Sequence, residues 1–147
     1  MRGMKKYLAS TVLSAAALLF TGAANAMQIP QYDQMVQNDK STYVTFLIMG
    51  AAKALEAHGQ PDQSKKLIVF FEDGSDNGGA HQFSKNLQVA RIINAKNASD
   101  PNNKQKPYEV EHALALTLKN NGILIPVDVL LALGKDFKPK SPPSKAK

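Results

Sequence analysis

Apolar residues recur at helical spacing along most of the chain. Tyr43, Phe46, Leu47, Gly50, Ala51, Ala54, Leu55 and His58 fall three and four apart in turn, which predicts an amphipathic helix. Ser41 or Thr42 is placed to cap its start, and Gly59 to stop it. Gly50 among Ala51, Ala52 and Ala54 makes one face narrow, so that a second helix can come close there. Upstream, Pro30 blocks an early helix, and Tyr32, Met35 and Val36 suit a short turn that packs down. Downstream, Phe83, Leu87, Ala90 and Asn94 mark another helix, widened by Val89 and Ile93. Val110, Ala113, Leu114, Thr117 and Leu118 mark the next, with Asn121-Gly122 as a left-handed cap. Pro126 at the first helical position and Asp128 two residues on start a last helix, whose stripe is Val127, Leu130 and Leu131.

Residues 60–73 are ambiguous. Leu67-Ile68-Val69-Phe70-Phe71 is a continuous apolar run of strand formers, and periodicity does not separate a buried strand from a buried helix. Pro61 and Asp62 suit a helix's first turn and Gly74 its end, so the caps favour helix. Lys65, Lys66, Glu72 and Asp73 flank the run as charged gatekeepers against aggregation. Gly74 to Ala80 and Asn97 to Pro107 read as loops. The expected fold is a small all-α single-domain bundle of four to five helices, without disulfides because the chain has no Cys.

The ends of the chain change the picture. Arg2, Lys5 and Lys6, the apolar stretch Leu8 to Phe20 and the triplet Ala24-Asn25-Ala26 form the three parts of a secretory signal. A membrane anchor needs about 20 apolar residues, and this stretch is shorter and runs into a cleavage site. The expectation is therefore a signal peptide over 1–26, a helical domain over 27–137, a Lys/Pro-rich disordered tail over 138–147, and a bacterial periplasmic location.

The chain of 147 residues carries a formal charge of +6, which at first sight suggests an anionic partner. Of its 18 basic residues, three lie in the signal, and Lys135, Lys138, Lys140, Lys145 and Lys147 lie at the other end. The body between has 10 basic and 11 acidic residues. Its basic residues are scattered and its aromatic residues are core-spaced, so no nucleic-acid partner is expected. No stable membrane insertion is expected after processing.

Candidate chemistry is sparse. The absence of Cys excludes thiolate metal sites and a cysteine nucleophile. Asp73-Gly74-Ser75-Asp76-Asn77-Gly78 resembles the opening of a calcium-binding loop, but Ser84 stands where the bidentate Glu should be. The expected reading is a polar turn with no metal. His58, His81 and His112 are far apart and expected to be structural, with His58 placed to cap helix carbonyls. Glu109 and Glu111 are explained by a polar face in a first helical turn. Gly78-Gly79 before a helix offers only a weak anion site. No nucleophile elbow or phosphate loop is present, so no enzyme and no cofactor are expected.

Two stretches carry a family resemblance. Phe46-Leu47-Ile48-Met49-Gly50-Ala51-Ala52-Lys53-Ala54-Leu55 resembles a "Gly-Tyr-Ile-x-Gly-x-x-x-Ala-Leu" helix, with Ile48, Gly50, Ala54 and Leu55 matching outright. Tyr108 to Phe137 is similar to a C-terminal helix pair whose link ends in Leu-x-Pro, through Leu124, Pro126, Leu130, Leu131, Ala132, Leu133 and Phe137. Both patterns are those of the small periplasmic Rap/Tai-type immunity proteins, which this chain therefore resembles and which neutralise peptidoglycan amidase effectors delivered by type VI secretion. The family's usual cysteines are missing here, with Val44 where one would fall.

The resemblance implies a helical inhibitor with a protein partner, possible targets including a peptidoglycan amidase. Such a protein needs a protruding loop to enter its partner's cleft. The acidic, glycine-rich segment between helices supplies Asp73, Ser75, Asp76, Asn77 and His81 as candidate partner-binding residues. A second class is a structural or chaperone-like envelope protein, motivated by the Leu67–Phe71 run. A third is an enzyme built on Glu72, Asp73 and His81, ranked last. The oligomeric state is open, and the narrow face at Gly50 would also serve a homodimer.

Overall fold

The structure is a computed structural model and describes residues 26–138. Apart from Ala26 and Lys138, the expected signal peptide and Lys/Pro tail lie outside the described residues. Among these residues there are six helices: α1 (Ile29–Asp33), α2 (Gln37–Ala57), α3 (Pro61–Glu72), α4 (Gly79–Ala98), α5 (Val110–Lys119) and α6 (Val127–Lys135). The fold is all-α, as expected. The helix beyond the expected four to five is α1, a single turn at the position of the anticipated Tyr32 turn. The apolar run at Leu67–Phe71 is helical, as its caps suggested.

Each of the five longer helices packs on its chain neighbour, and α6 closes the ring by packing on α2. The inside of this ring is the core. Tyr43, Leu47, Leu67, Leu114, Leu118, Ile123 and Leu130 are fully buried there. Each such side chain contributes roughly 1.5–3 kcal/mol through removal of apolar surface from water. The segment before α2 joins them, because Met27, Ile29, Tyr32 and Met35 are all buried. The Tyr32 ring meets Tyr43 of α2 and Phe83 of α4, each at a centroid distance of 6.4 Å, so α1 wedges between those two helices.

Two glycines set the corners. Gly59 and Gly122 both have φ of 76°, a left-handed conformation that costs glycine little. After α2, Gln60 N–H donates to Leu55 O at 2.8 Å and Gly59 N–H to Glu56 O at 3.1 Å. After α5, Ile123 N–H donates to Leu118 O at 2.9 Å and Gly122 N–H to Lys119 O at 3.1 Å. Both are Schellman endings, which satisfy carbonyls that a helix end otherwise leaves open.

Two helix starts differ from expectation. α2 begins at Gln37, ahead of Ser41 and Thr42. The Thr42 hydroxyl bonds back to Asn38 O at 2.8 Å within the helix, so it is not free to cap. Asp39 lies in the first turn of α2, where a carboxylate favours the helix N-terminus. Pro126 is the N-cap of α6 and Val127 its first residue, one position later than expected.

The buried face of α2 is also rotated. Tyr43, Leu47, Ile48, Ala51, Ala52 and Leu55 are buried, while Phe46 is partly open. The rotation turns Gly50 toward α6, where it meets Leu133.

Candidate functional site

Four of the five expected binding residues lie on one loop, and His81 lies in the first turn of α4. Asp73 to Gly78 joins α3 to α4, and Asp73, Ser75, Asp76, Asn77 and His81 are all exposed. Local hydrogen bonds hold the loop in shape. Ser75 N–H donates to Asp73 Oδ1 at 2.9 Å, Asn77 N–H to Ser75 Oγ at 3.2 Å, and Gly78 N–H to Ser75 O at 2.9 Å. Gln82 Nε2 adds a bond to Asn77 O from the first turn of α4. The Ser75 N–H beside it holds the Asp73 carboxyl below the ordinary range.

The loop's base is tightly packed. A Cβ on Gly79 would sit 2.6 Å from the Phe71 ring, and one on Gly78 would run into the Asp73 carbonyl. Only hydrogen fits at either position. Gly78 N–H is already taken by Ser75 O, which removes one donor from the anion site considered there. Of the five residues, Asp73, Ser75 and Asn77 are spent largely on the turn itself. Asp76, with 92% of its side chain exposed, projects outward, and His81 Nε2 lies 3.8 Å from its Oδ1.

Beside the loop is a groove that the sequence did not reveal. It encloses about 580 Å³ between α2 and α4. Its floor is apolar, formed by Val44, Ile48, Ile68, Phe71, Phe83 and Leu87. Glu72 and Ala80 line it and flank the loop in sequence, so the loop borders the groove. The groove exists because α2 and α4 are held apart, by α1 and by the end of α3, rather than packed together.

The α1 side of the groove is fastened. Arg91 Nη2 and Nε donate to the two oxygens of Asp33 at 2.6 and 2.9 Å, a forked pair joining α4 to α1. That hydrogen bond pushes the Arg91 pKa up. Lys40 Nζ lies 5.7 Å from the centre of the Tyr32 ring. Burial pushes the Tyr32 phenol up to about 12.

The remaining histidines have structural partners. His58 Nδ1 lies 2.8 Å from Ala54 O at the end of α2. His112 Nδ1 accepts the Glu109 N–H at 2.9 Å, and the Glu109 side chain accepts from the His112 backbone in return, which makes a reciprocal cap on α5. Desolvation lowers the His112 pKa, in keeping with a neutral ring.

Glu111 is the residue that sequence reasoning misplaced. It is fully buried instead of lying on a polar face. Its Oε2 accepts from the Met27 backbone N–H at 3.4 Å, and its Oε1 has no partner among the described residues. The Tyr43 hydroxyl is also buried and unpartnered. Gly134 of α6 brings the two together, since a Cβ there would lie 2.5 Å from both Glu111 Oε2 and the Tyr43 oxygen. Burial pushes the Glu111 carboxyl up to about 8. No sequence spacing signals this, because three separate segments create the burial.

Among the described residues, no group of three or more His, Asp or Glu side chains is arranged to hold a metal. No described helix is long and apolar enough to cross a membrane. Comparison with known proteins finds no matching family model, no matching curated protein and no matching solved structure.

Proposed function

We propose that this chain is an exported, non-enzymatic helical binding protein that inhibits a cell-wall amidase, with the Asp73–Gly78 loop as the part that enters the enzyme's cleft. The observation that carries the reading is the pairing of a braced acidic loop with an apolar groove along its edge. Bracing matters because a loop already held in one shape loses little conformational entropy on binding. The groove then offers apolar area next to a charged tip, the usual combination of burial and orientation in a recognition surface. The reading of residues 1–26 as an export signal supports this, because it would bring the protein to the compartment where peptidoglycan is exposed.

The test is binding to any peptidoglycan amidase encoded near its gene. A stoichiometric complex that blocks hydrolysis, and that weakens when Asp73, Asp76 and His81 are replaced, supports the reading. Loss of no affinity on those replacements, or no complex at all, counts against it.

The groove also favours a second reading, a periplasmic chaperone-like protein. Met49 on its lining and Val69 nearby on α3 are large apolar residues left open, at 45% and 59% exposure. Suppression of client aggregation at acidic pH, abolished by Met49→Glu, would select this reading over the inhibitor.

A further inference from the structure

Burying a carboxylate without a cation is costly, and charged side chains at such depth are normally paired. Glu111 has no such partner at that depth, and burial therefore keeps it in its protonated, neutral form. No Lys, Arg or His side chain among the described residues forms an ion pair with it. α2 presents only the neutral Tyr43 phenol, and α6 presents the bare backbone of Gly134. Glu109 and His112, its neighbours on α5, are engaged with each other. The nitrogen aimed at the carboxylate belongs to Met27, through one long N–H contact of 3.4 Å.

That nitrogen is firmly placed. Val110 N–H donates to Met27 O at 3.0 Å, and Gln28 forms an antiparallel bridge with Glu109. Gln28 Nε2 also reaches Glu109 Oε2 at 2.8 Å. The bond before Met27 is the one that the Ala24-Asn25-Ala26 triplet marks for cleavage.

We propose that Glu111 is an internal receptor for the chain's own new N-terminus. Hydrolysis of the Ala26–Met27 bond consumes one water, breaks the C–N bond, leaves a carboxylate on Ala26 and frees the Met27 nitrogen as an amine that takes up a proton. The resulting ammonium has three donors and a full charge where the amide had one donor and none. It stands where the buried carboxylate lacks a partner, so processing supplies the missing half of an ion pair. Ala26 and Met27 are 6% and 7% exposed, so the folded domain does not offer this bond to a peptidase, and cleavage precedes folding. The proposal rests on the reading of residues 1–26 as a cleaved signal, but not on the amidase.

The test uses the exported protein purified from the periplasm. Its mass first shows where the chain is cut. A cut other than before Met27 overturns the signal reading at that bond, and the pairing with it. With the cut in place, the reactivity of the α-amine toward an amine-labelling reagent is followed against pH. The expected midpoint lies at least about one unit above the ordinary α-amino value of about 7.7–8.0, and it falls back in Glu111→Gln. An ordinary midpoint in the unmutated protein overturns the pairing alone.

A second comparison moves the chain's amine instead of following its titration. One Ser inserted between Ala26 and Met27 makes Met27 N an amide again and moves the ammonium one residue away. The folding constant should drop by about tenfold or more, and by much less when the same insertion is made in Glu111→Gln. An equal drop in both backgrounds, or none in either, overturns the proposal.

Discussion

Leu133 of α6 lies so close to Gly50 of α2 that a Cβ on Gly50 would stand 2.7 Å from Leu133 Cδ2. The closure of the helical ring depends on this contact, because α6 reaches α2 across the narrow face. Two effects of Gly50→Ala oppose each other. Alanine favours helix by about 1 kcal/mol over glycine, and overpacking costs about 1–3 kcal/mol. The clash should win, with a net loss of about 1 kcal/mol. Leu133→Ala removes the clash, so Gly50→Ala should then stabilise by about 0.5–1 kcal/mol. Urea unfolding of the two single variants and the double variant checks the change of sign.

The glycines at the loop base predict a different outcome. Gly79→Ala drives a methyl group into the Phe71 ring, and neither ring nor helix backbone can step aside easily. A loss of about 2–3 kcal/mol is expected, measurable as a lower urea midpoint. Phe71→Leu should recover part of it, because the smaller side chain vacates the contact.

Asp76 separates binding from folding. It is almost fully exposed, and among the described residues the side chain within ion-pair reach is that of His81, 3.8 Å away in solvent. Asp76→Ala should leave the urea midpoint essentially unchanged, as exposed pairs contribute little. On the proposed inhibitor function, the same variant should weaken binding to an amidase by about tenfold, as expected for loss of one charged contact from an interface. A titration of wild type and variant against the enzyme measures this.

Glu111 predicts a pH dependence whose sign follows from its proton. With Met27 N as an amide, the folded chain holds the Glu111 proton up to about pH 8, against an ordinary value of 4.5. The folded state therefore binds more protons than the unfolded state between those limits. The contribution is fully present below the ordinary value and is lost as pH rises toward 8, at up to about 1.4 kcal/mol per pH unit. The Ser-insertion chain should thus weaken from pH 5 to pH 8. Glu111→Gln in that chain should remove the slope, and the chain beginning at Met27 should lack it. Urea unfolding at pH 5, 6.5 and 8 makes the comparison.

The legible and illegible parts of this molecule differ in physical origin. Helix α3 could be read because Pro61 and Gly74 are local signals that outweigh an apolar run with no period of its own. Gly59 and Gly122 were legible for the same reason, since a left-handed residue closes a helix wherever the chain lies. The start of α2 was not, because Ser41 and Thr42 suit a cap and a helix interior alike, and the upstream Val36 that replaces them makes no side-chain cap bond.

The Asp73–Gly78 loop was visible as a turn, but the groove beside it was not. A stripe on one helix says which face is apolar and nothing about how far its neighbour stands. Glu111 was hidden more deeply still. Its place beside Val110 and Ala113 on α5 looks polar in sequence, and only the arrival of Met27, Tyr43 and Gly134 from elsewhere encloses it.

The contact between Met27 and Glu111 spans 84 residues of sequence. Closing so long a loop gives up more chain entropy than turning the corner at Gly59, so the corner is expected to form before the N-terminal contact. An interaction absent from the folding transition state does not speed folding. It slows escape from the native state. Seating the N-terminus against Glu111 would therefore set how long the domain survives once folded, and if the chain is exported as proposed, beyond the reach of ATP-driven refolding, that lifetime matters more than how quickly it first assembled.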